Sequence, residues 1–283
     1  METAREYLKV WQPKHISNLE LICGSFNNIS TPRHFHEEFE ISLLQHGEPW
    51  QLDYRGTKYT ISPTSFTLTQ PGEVHKVEFA GETEYVFRGL RIATHLVQDV
   101  ATNMSESGLP FFPTPVITNN YLRGLILILY RRLDEGTASL LEQQSLILNI
   151  LIYLVVCCAE NRPNIKPPGR ERQIVRRVRD YLVENYAENI SLDQLAQLAL
   201  LSPFYLNRVF QKEFGLPPHA YQIHARIVRA KALLNQGHSI GQVALLTGFA
   251  HQSHFGWHFK RIVGIAPGQY LKGSNLWKMA RTR

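Results

Sequence analysis

The sequence predicts a mixed, two-domain protein: an all-β jelly-roll barrel with a helical hairpin, then an all-α domain of two helix-turn-helix units. Three observations predict it. Between Leu19 and Leu90, short alternating or β-branched runs are separated by Gly and Pro turns. Between Asn119 and Glu160, apolar residues recur at helical spacing. Between Ser191 and Tyr270 one unit occurs twice. Gln194 matches Gln242 and Ala196 matches Ala244 at an offset of 48, while Phe210 matches Phe259, Gly215 Gly264, Pro218 Pro267 and Tyr221 Tyr270 at 49. One extra residue has therefore entered the turn of the second copy.

Strands are predicted at Leu19–Phe26, Phe39–Leu44, Trp50–Tyr54, Lys58–Ile61, Ser65–Thr69, Lys76–Phe79 and Tyr85–Leu90. Gly47, Gly56, Pro63, Pro71-Gly72 and Gly81 break the chain between them. Many short strands at close spacing form a sandwich or a jelly-roll barrel. A helix follows at Ile92–Met104, then a Pro-rich connection from Gly108 to Pro115.

Two helices come next. Asn119–Leu133 places Leu122, Leu125, Ile126, Leu129 and Leu133 on one face. Ser139–Glu160 places Leu141, Leu148 and Val155 seven residues apart, with Ser145 and Ile152 between them. Such a hairpin either packs on its own barrel or pairs two subunits. The second helix is apolar over much of its circumference, more than one packing face needs, so a homodimer is expected. Its longest apolar run, Leu146 to Ala159, has 14 residues and contains Asn149. That is short of the about 20 that span a bilayer, so no membrane partner is expected.

From Asn161 to Arg170 three prolines and a glycine forbid a helix and mark a linker. The expected domains are 1–115 (barrel), 116–160 (hairpin), 161–171 (linker) and 172–275 (tandem helical units). Ile174, Val178, Tyr181 and Leu182 give the first helix of the last domain its core face. In the first copy Ser191 is an N-cap, and Leu192, Leu195 and Leu198 form an apolar stripe. Ser202-Pro203 starts a second helix, Leu206, Val209, Phe210 and Phe214 bury one face, and Gly215 ends it. Phe204, Tyr205, Asn207, Arg208, Gln211 and Lys212 are left facing outward. Two short helices, the second presenting polar and basic groups, match the unit that lays its second helix in a DNA major groove.

Charge divides in the same way. Residues 1–163 carry 13 Lys+Arg and 18 Asp+Glu, a net −5, whereas residues 164–283 carry 17 and 6, a net +11. A basic surplus confined to one domain is the footprint of phosphate-backbone binding and points to double-stranded DNA. The cysteines, Cys23, Cys157 and Cys158, are few and odd in number and include no CxxC pair, which fits a reducing, cytoplasmic setting. The opening METAREYLKVW lacks the apolar core of a signal peptide.

The tandem units, about Arg172 to Leu271, resemble the DNA-binding domain of the AraC/XylS family of bacterial transcription regulators, above all in GFAHQSHFGWHFKRIVGIAPGQY. The resemblance implies a long helix between the units, at Pro218–Gln236. It implies base-reading positions at Phe204, Asn207 and Arg208 in the first unit and at Gln252, Ser253, His254 and Trp257 in the second. Lys212, Lys260 and Arg261 are expected on phosphates, with His254 equally suited to core packing. Gly256 and Trp257 depart from the family's pattern; Gly256 costs about 0.5–1 kcal/mol of helix stability relative to Ala. His251, His254 and His258 lie at helical spacing, but a helix facing DNA lacks a further ligand, so no zinc is expected there.

His34-x-His36-x-x-x-Glu40, followed by Gly47, and Pro71-Gly72-Glu73-Val74-His75 together resemble the two motifs of the cupin barrel. In metal-binding cupins the matching positions, here His34, His36, Glu40 and His75, hold a metal. On a strand His34, His36 and Glu40 would share a face. Regulatory cupins of the resembled family keep parts of the pattern without a metal, and the second motif lacks the full glycine spacing. The barrel is therefore expected to hold substoichiometric metal, no cofactor and no catalytic residue. His34, His36, Glu40 and His75, with Trp50 and Tyr54, are the expected effector-binding residues, and Phe66 is expected in the core. The function this implies is effector-controlled, sequence-specific transcription regulation, with RNA polymerase as a further partner of an activator. The rivals are a metal-dependent cupin enzyme tethered to DNA and a constitutive DNA-binding protein.

Overall fold

The computed structural model describes residues 6–13, 16, 18–104, 108–136, 138–160 and 172–271. The predicted linker, 161–171, and the end of the predicted DNA-binding domain, 272–275, lie outside the described residues. The chain divides into two compact units, 1–131 with 146–166 and 132–145 with 167–283, so the boundary falls inside the hairpin rather than at its ends.

The first unit is a nearly closed antiparallel barrel of β1 (Tyr7–Trp11), β2 (Leu19–Ser30), β3 (Phe39–His46), β4 (Trp50–Tyr54), β5 (Thr57–Ile61), β6 (Phe66–Thr69), β7 (His75–Ile92) and β8 (Val116–Ile117). The main path runs β1-β2-β7-β3-β6-β8, and β4 pairs with both β5 and β7. β1 was not foreseen because it is an edge strand exposed along most of its length, with no alternation to read. β7 is one strand where two were expected. The turn expected at Gly81 is a bulge: Phe26 faces Tyr85 while Asn28 faces Ala80, so the residues between are extruded without ending the strand. Arg55 and Gly56, both at positive φ, make the tight β4–β5 turn. Phe26, Leu44, Trp50, Leu52, Tyr54, Ile61, Phe79 and Tyr85 fill one core cluster, and Phe66 is fully buried as expected.

α1 (Thr94–Asn103) precedes the hairpin of α2 (Asn120–Asp134) and α3 (Leu140–Cys158). The continuous helix α3 is longer than its longest apolar run, and by length and composition alone it is long enough to cross a membrane. It packs as a core helix: Leu141, Ser145, Leu146, Ile150, Leu151, Leu154 and Val155 are buried.

In the second unit α4 (Arg172–Glu184) precedes two helical pairs, α5 (Leu192–Ala199) with α6 (Pro203–Phe214), and α8 (Ile240–Leu246) with α9 (Gln252–Val263). The long α7 (Pro218–Asn235) joins them. The repeat is physical as well as textual. Ser191 and Ser239 each close a capping box, with Gln194 and Gln242 at N3. Gly215 and Gly264 each end the second helix in the left-handed conformation. Leu200 and Gly248, 48 residues apart, both adopt positive φ, so the extra residue lies after them. Leu198, expected in the apolar stripe, is exposed; Leu192, Leu195 and Ala196 supply the buried face.

Buried Arg226 on α7 ties the two halves together. Its guanidinium donates to the carbonyls of Tyr186 (2.7 Å), Glu188 (3.0 Å) and Gly248 (2.7 Å). Gln222 Nε2 adds bonds to Tyr186 O and Glu188 O. The α4–α5 loop and the α8–α9 turn thus share one anchor.

Candidate functional site

At one end of the barrel, where β4 and β6 finish and β3 and β7 begin, three histidines gather. His34 and His75 exchange backbone bonds as an isolated antiparallel bridge. Their rings lie 4.4 Å apart, and the His36 ring is 4.9 Å from that of His75. The strand-alternation argument for this cluster is corrected. His34 and His36 lie in the segment before β3, and only Glu40 is on the strand. Turn geometry gathers them instead: Gly72, at positive φ, donates its N–H to His36 O at 2.8 Å.

Each ring is oriented by its own backbone. Nδ1 of His34, His36 and His75 lies 2.8–2.9 Å from the carbonyls of Pro32, Glu38 and Glu73. A carbonyl only accepts, so each Nδ1 is the protonated nitrogen and each Nε2 is an acceptor in the neutral ring. Burial lowers the His75 pKa against the bond to Glu73, and His34 and His36 add to the lowering, which favours the neutral ring. His36 Nε2 lies 3.5 Å from Thr69 Oγ1 and 3.4 Å from Glu40 Oε2.

Glu40 is already engaged. Arg91 Nε donates to Oε2 at 2.8 Å, and Ser42 Oγ donates to Oε1 at 3.1 Å. With Arg91 on one oxygen and Ser42 on the other, Glu40 has neither oxygen free for a metal, and His34, His36 and His75 are not a group whose donor atoms all lie within 4.8 Å of one another. Sequence reasoning missed Arg91, since nothing in the motif spacing signals a residue on the neighbouring strand. Trp50 and Tyr54 are corrected from pocket wall to packing, since both are sealed in the core cluster. Trp50 stacks on Phe79 at 5.1 Å, and Tyr54 OH accepts from Gln70 N.

The second unit separates the expected DNA residues by burial. Lys212, Gln252, Ser253, Lys260 and Arg261 are exposed, Trp257 is 40% exposed, and Arg208 is half-buried with its guanidinium 5.3 Å from the Phe204 ring. Phe204 and Asn207 are 3% and 1% exposed, and His254 is also interior, so none of the three presents an edge to a base in this conformation. The inward stripe of α9 is His254, Phe255, His258 and Phe259, at the i, i+4 spacing of a packed helix face.

His254 lies where the first copy has Tyr205, and His258 where it has buried Val209. A polar side chain at a core position needs a partner. His254 Nε2 and His258 Nε2 are 2.9 Å apart, so one donates to the other. Burial pushes the His254 pKa down to about 4, with Arg132 adding to the fall, and burial then His254 push His258 down to about 2. Both rings are therefore neutral. Buried Glu142, in the first turn of α3, completes the group, and Arg132 Nε lies 3.2 Å from its Oε1. Neither Glu142 nor Arg132 was singled out in the sequence; a histidine replacing Val209 between aligned copies was the available signal.

Residues 17–151 match the family described as the AraC-like ligand binding domain, and residues 195–273 match a helix-turn-helix domain family. The HTH-type transcriptional regulator YbfI of Bacillus subtilis is 30% identical over 226 residues, covering 79% of this chain and 80% of that protein. The HTH-type transcriptional activator RhaS of Escherichia fergusonii is 26% identical over 251 residues, covering 86% of this chain and 88% of its own. The C-terminal domain of AraT, a response regulator from Geobacillus stearothermophilus, is a solved structure with 29% identity and a TM-score of 0.35, covering 37% of this chain and 88% of its own. With a ligand-binding barrel ahead of paired DNA-binding helical units, and a relative of this identity over four-fifths of its length, the chain belongs to the AraC family of transcription regulators.

Proposed function

We propose that this regulator responds to a small hydrogen-bond donor, a polyol or an amine, held at the histidine end of the barrel. The observation that carries the reading is the common orientation of His34, His36 and His75. Three backbone carbonyls hold the Nδ1 protons, which makes three Nε2 atoms acceptors in one small region. Hydroxyl or ammonium donors complement such a set, whereas an anion would meet only lone pairs and the Glu40 carboxylate. Ligand and DNA then alter each other's affinity by the same factor. No catalytic step is assigned to the barrel.

A thermal-shift screen of sugars, polyols and amines tests this. A true effector at 100 times its Kd is expected to stabilise the protein by about 2.7 kcal/mol. The shift should vanish in His36→Ala, and the same compound should change the affinity for DNA. Hits that stabilise His36→Ala as they do the wild type would remove the histidine cluster from the account.

Exposed Tyr121, Ile128 and Tyr153 support a homodimer through the hairpin; the Tyr121 and Tyr153 rings are 4.6 Å apart and form one apolar patch. Sedimentation at micromolar concentration is expected to give a dimer, and a monomer with and without DNA contradicts it. Activation through RNA polymerase accords with the activator named among the relatives. A cytoplasmic site accords with three free cysteines.

A further inference from the structure

The second compact unit buries a cluster that DNA reading does not require. Glu142, His254 and His258 are all interior, and one donor atom from each lies within 4.8 Å of the other two. Among the described residues this is the group of three His, Cys, Asp or Glu side chains that comes so close; the barrel histidines do not. Burying two imidazoles and a carboxylate is costly unless they are jointly satisfied. The first copy of the repeat does without them, with Val209 at the position of His258. The expectation that His251, His254 and His258 take no metal rested on the want of a fourth ligand; His251 is exposed at the N-cap of α9 and outside the group, and Glu142 stands in its place as the third donor.

Two imidazoles four residues apart on one helix, with a facing carboxylate, form a donor set for a divalent first-row ion that keeps open positions. Arg132 occupies Oε1 of Glu142, and Oε2 is the second oxygen of that carboxylate. The placement has a consequence for DNA. Of the four α9 positions expected to read bases, His254 lies against Glu142, and Trp257 carries the Arg132 guanidinium 4.3 Å from its ring. Arg132 and Glu142 therefore lie over part of the reading face.

We propose that Glu142, His254 and His258 form a binding site for a divalent first-row transition ion, whose occupancy fastens Glu142 at the start of α3 to α9 and weakens DNA binding. The site is independent of the barrel's ligand.

The test uses the full chain, stripped of metal, with Co2+ as the probe. Wild type is expected to bind one equivalent at this site with a visible ligand-field band that Zn2+ displaces. The band should persist in His36→Ala, which alters only the barrel cluster, and disappear in Glu142→Gln. One equivalent of Zn2+ should raise the Kd for a DNA fragment bound specifically by the metal-free protein at least tenfold, with no effect in Glu142→Gln. Should Glu142→Gln fail to fold by circular dichroism, His254→Gln and the wild-type titration decide instead. No cobalt band at millimolar Co2+ overturns the proposal. So does a band that survives Glu142→Gln, a band abolished by His36→Ala, or a DNA affinity indifferent to Zn2+.

Discussion

Gly248→Ala is expected to destabilise the DNA-binding unit by about 2–5 kcal/mol, through a strained backbone and a steric overlap together. Gly248 has φ +76, and a Cβ built on it would overlap the Ala187 carbonyl oxygen. That oxygen cannot retreat cheaply, because Arg226 and Gln222 hold the carbonyls on either side of it. The first copy provides the control. Leu200 occupies the equivalent left-handed position at φ 54, yet it is 92% exposed. Leu200→Gly is thus expected to change stability by no more than about 1 kcal/mol. Thermal melts compare the two, and Gly248→Ala should lose about 10 °C or more. Equal melting of Gly248→Ala and wild type would mean that the turn and the loop do not meet as described.

Removing the exposed cations is expected to have the largest effect on DNA binding. Lys212 lies in the last turn of α6, and Lys260 and Arg261 in the last turn of α9. The triple alanine variant should lose roughly 100-fold in affinity and flatten the salt dependence by about three units of slope, on specific and non-specific DNA alike. Arg208→Ala should behave differently, costing about 1–3 kcal/mol at the preferred site and relaxing sequence preference. Titrations by fluorescence anisotropy at several salt concentrations separate the two behaviours. A triple variant with the wild-type salt slope would remove these cations from the phosphate contacts.

The helical unit was largely legible in the sequence because its signals are local. Ser caps, Pro at N1 and terminal Gly act within a few residues, and the repeat states the Ser191 and Ser239 caps and the Gly215 and Gly264 terminators twice, though Ser202-Pro203 has no counterpart at His251-Gln252. The barrel strands were legible where one face is buried, as in β3 and β4, and not where neither face is, as in β1. The candidate sites depend on contacts distant in sequence. His34, His36 and His75 were found from their motifs, but their orientation comes from backbone turns that alternation does not describe. Phe204 and Asn207 were placed outward by the helical pattern of their unit and His254 was equally suited to base reading and core packing; packing within the unit turns all three inward. Glu142 lies more than a hundred residues before His254, so neither period nor spacing connects them.

Mapping the protein's bound sites across the native chromosome tests sequence-specific regulation in place. A small number of sharp intergenic sites sharing one sequence pattern, lost in the triple cation variant, is the expected result. Diffuse occupancy without a shared sequence, unchanged by that variant, would contradict it.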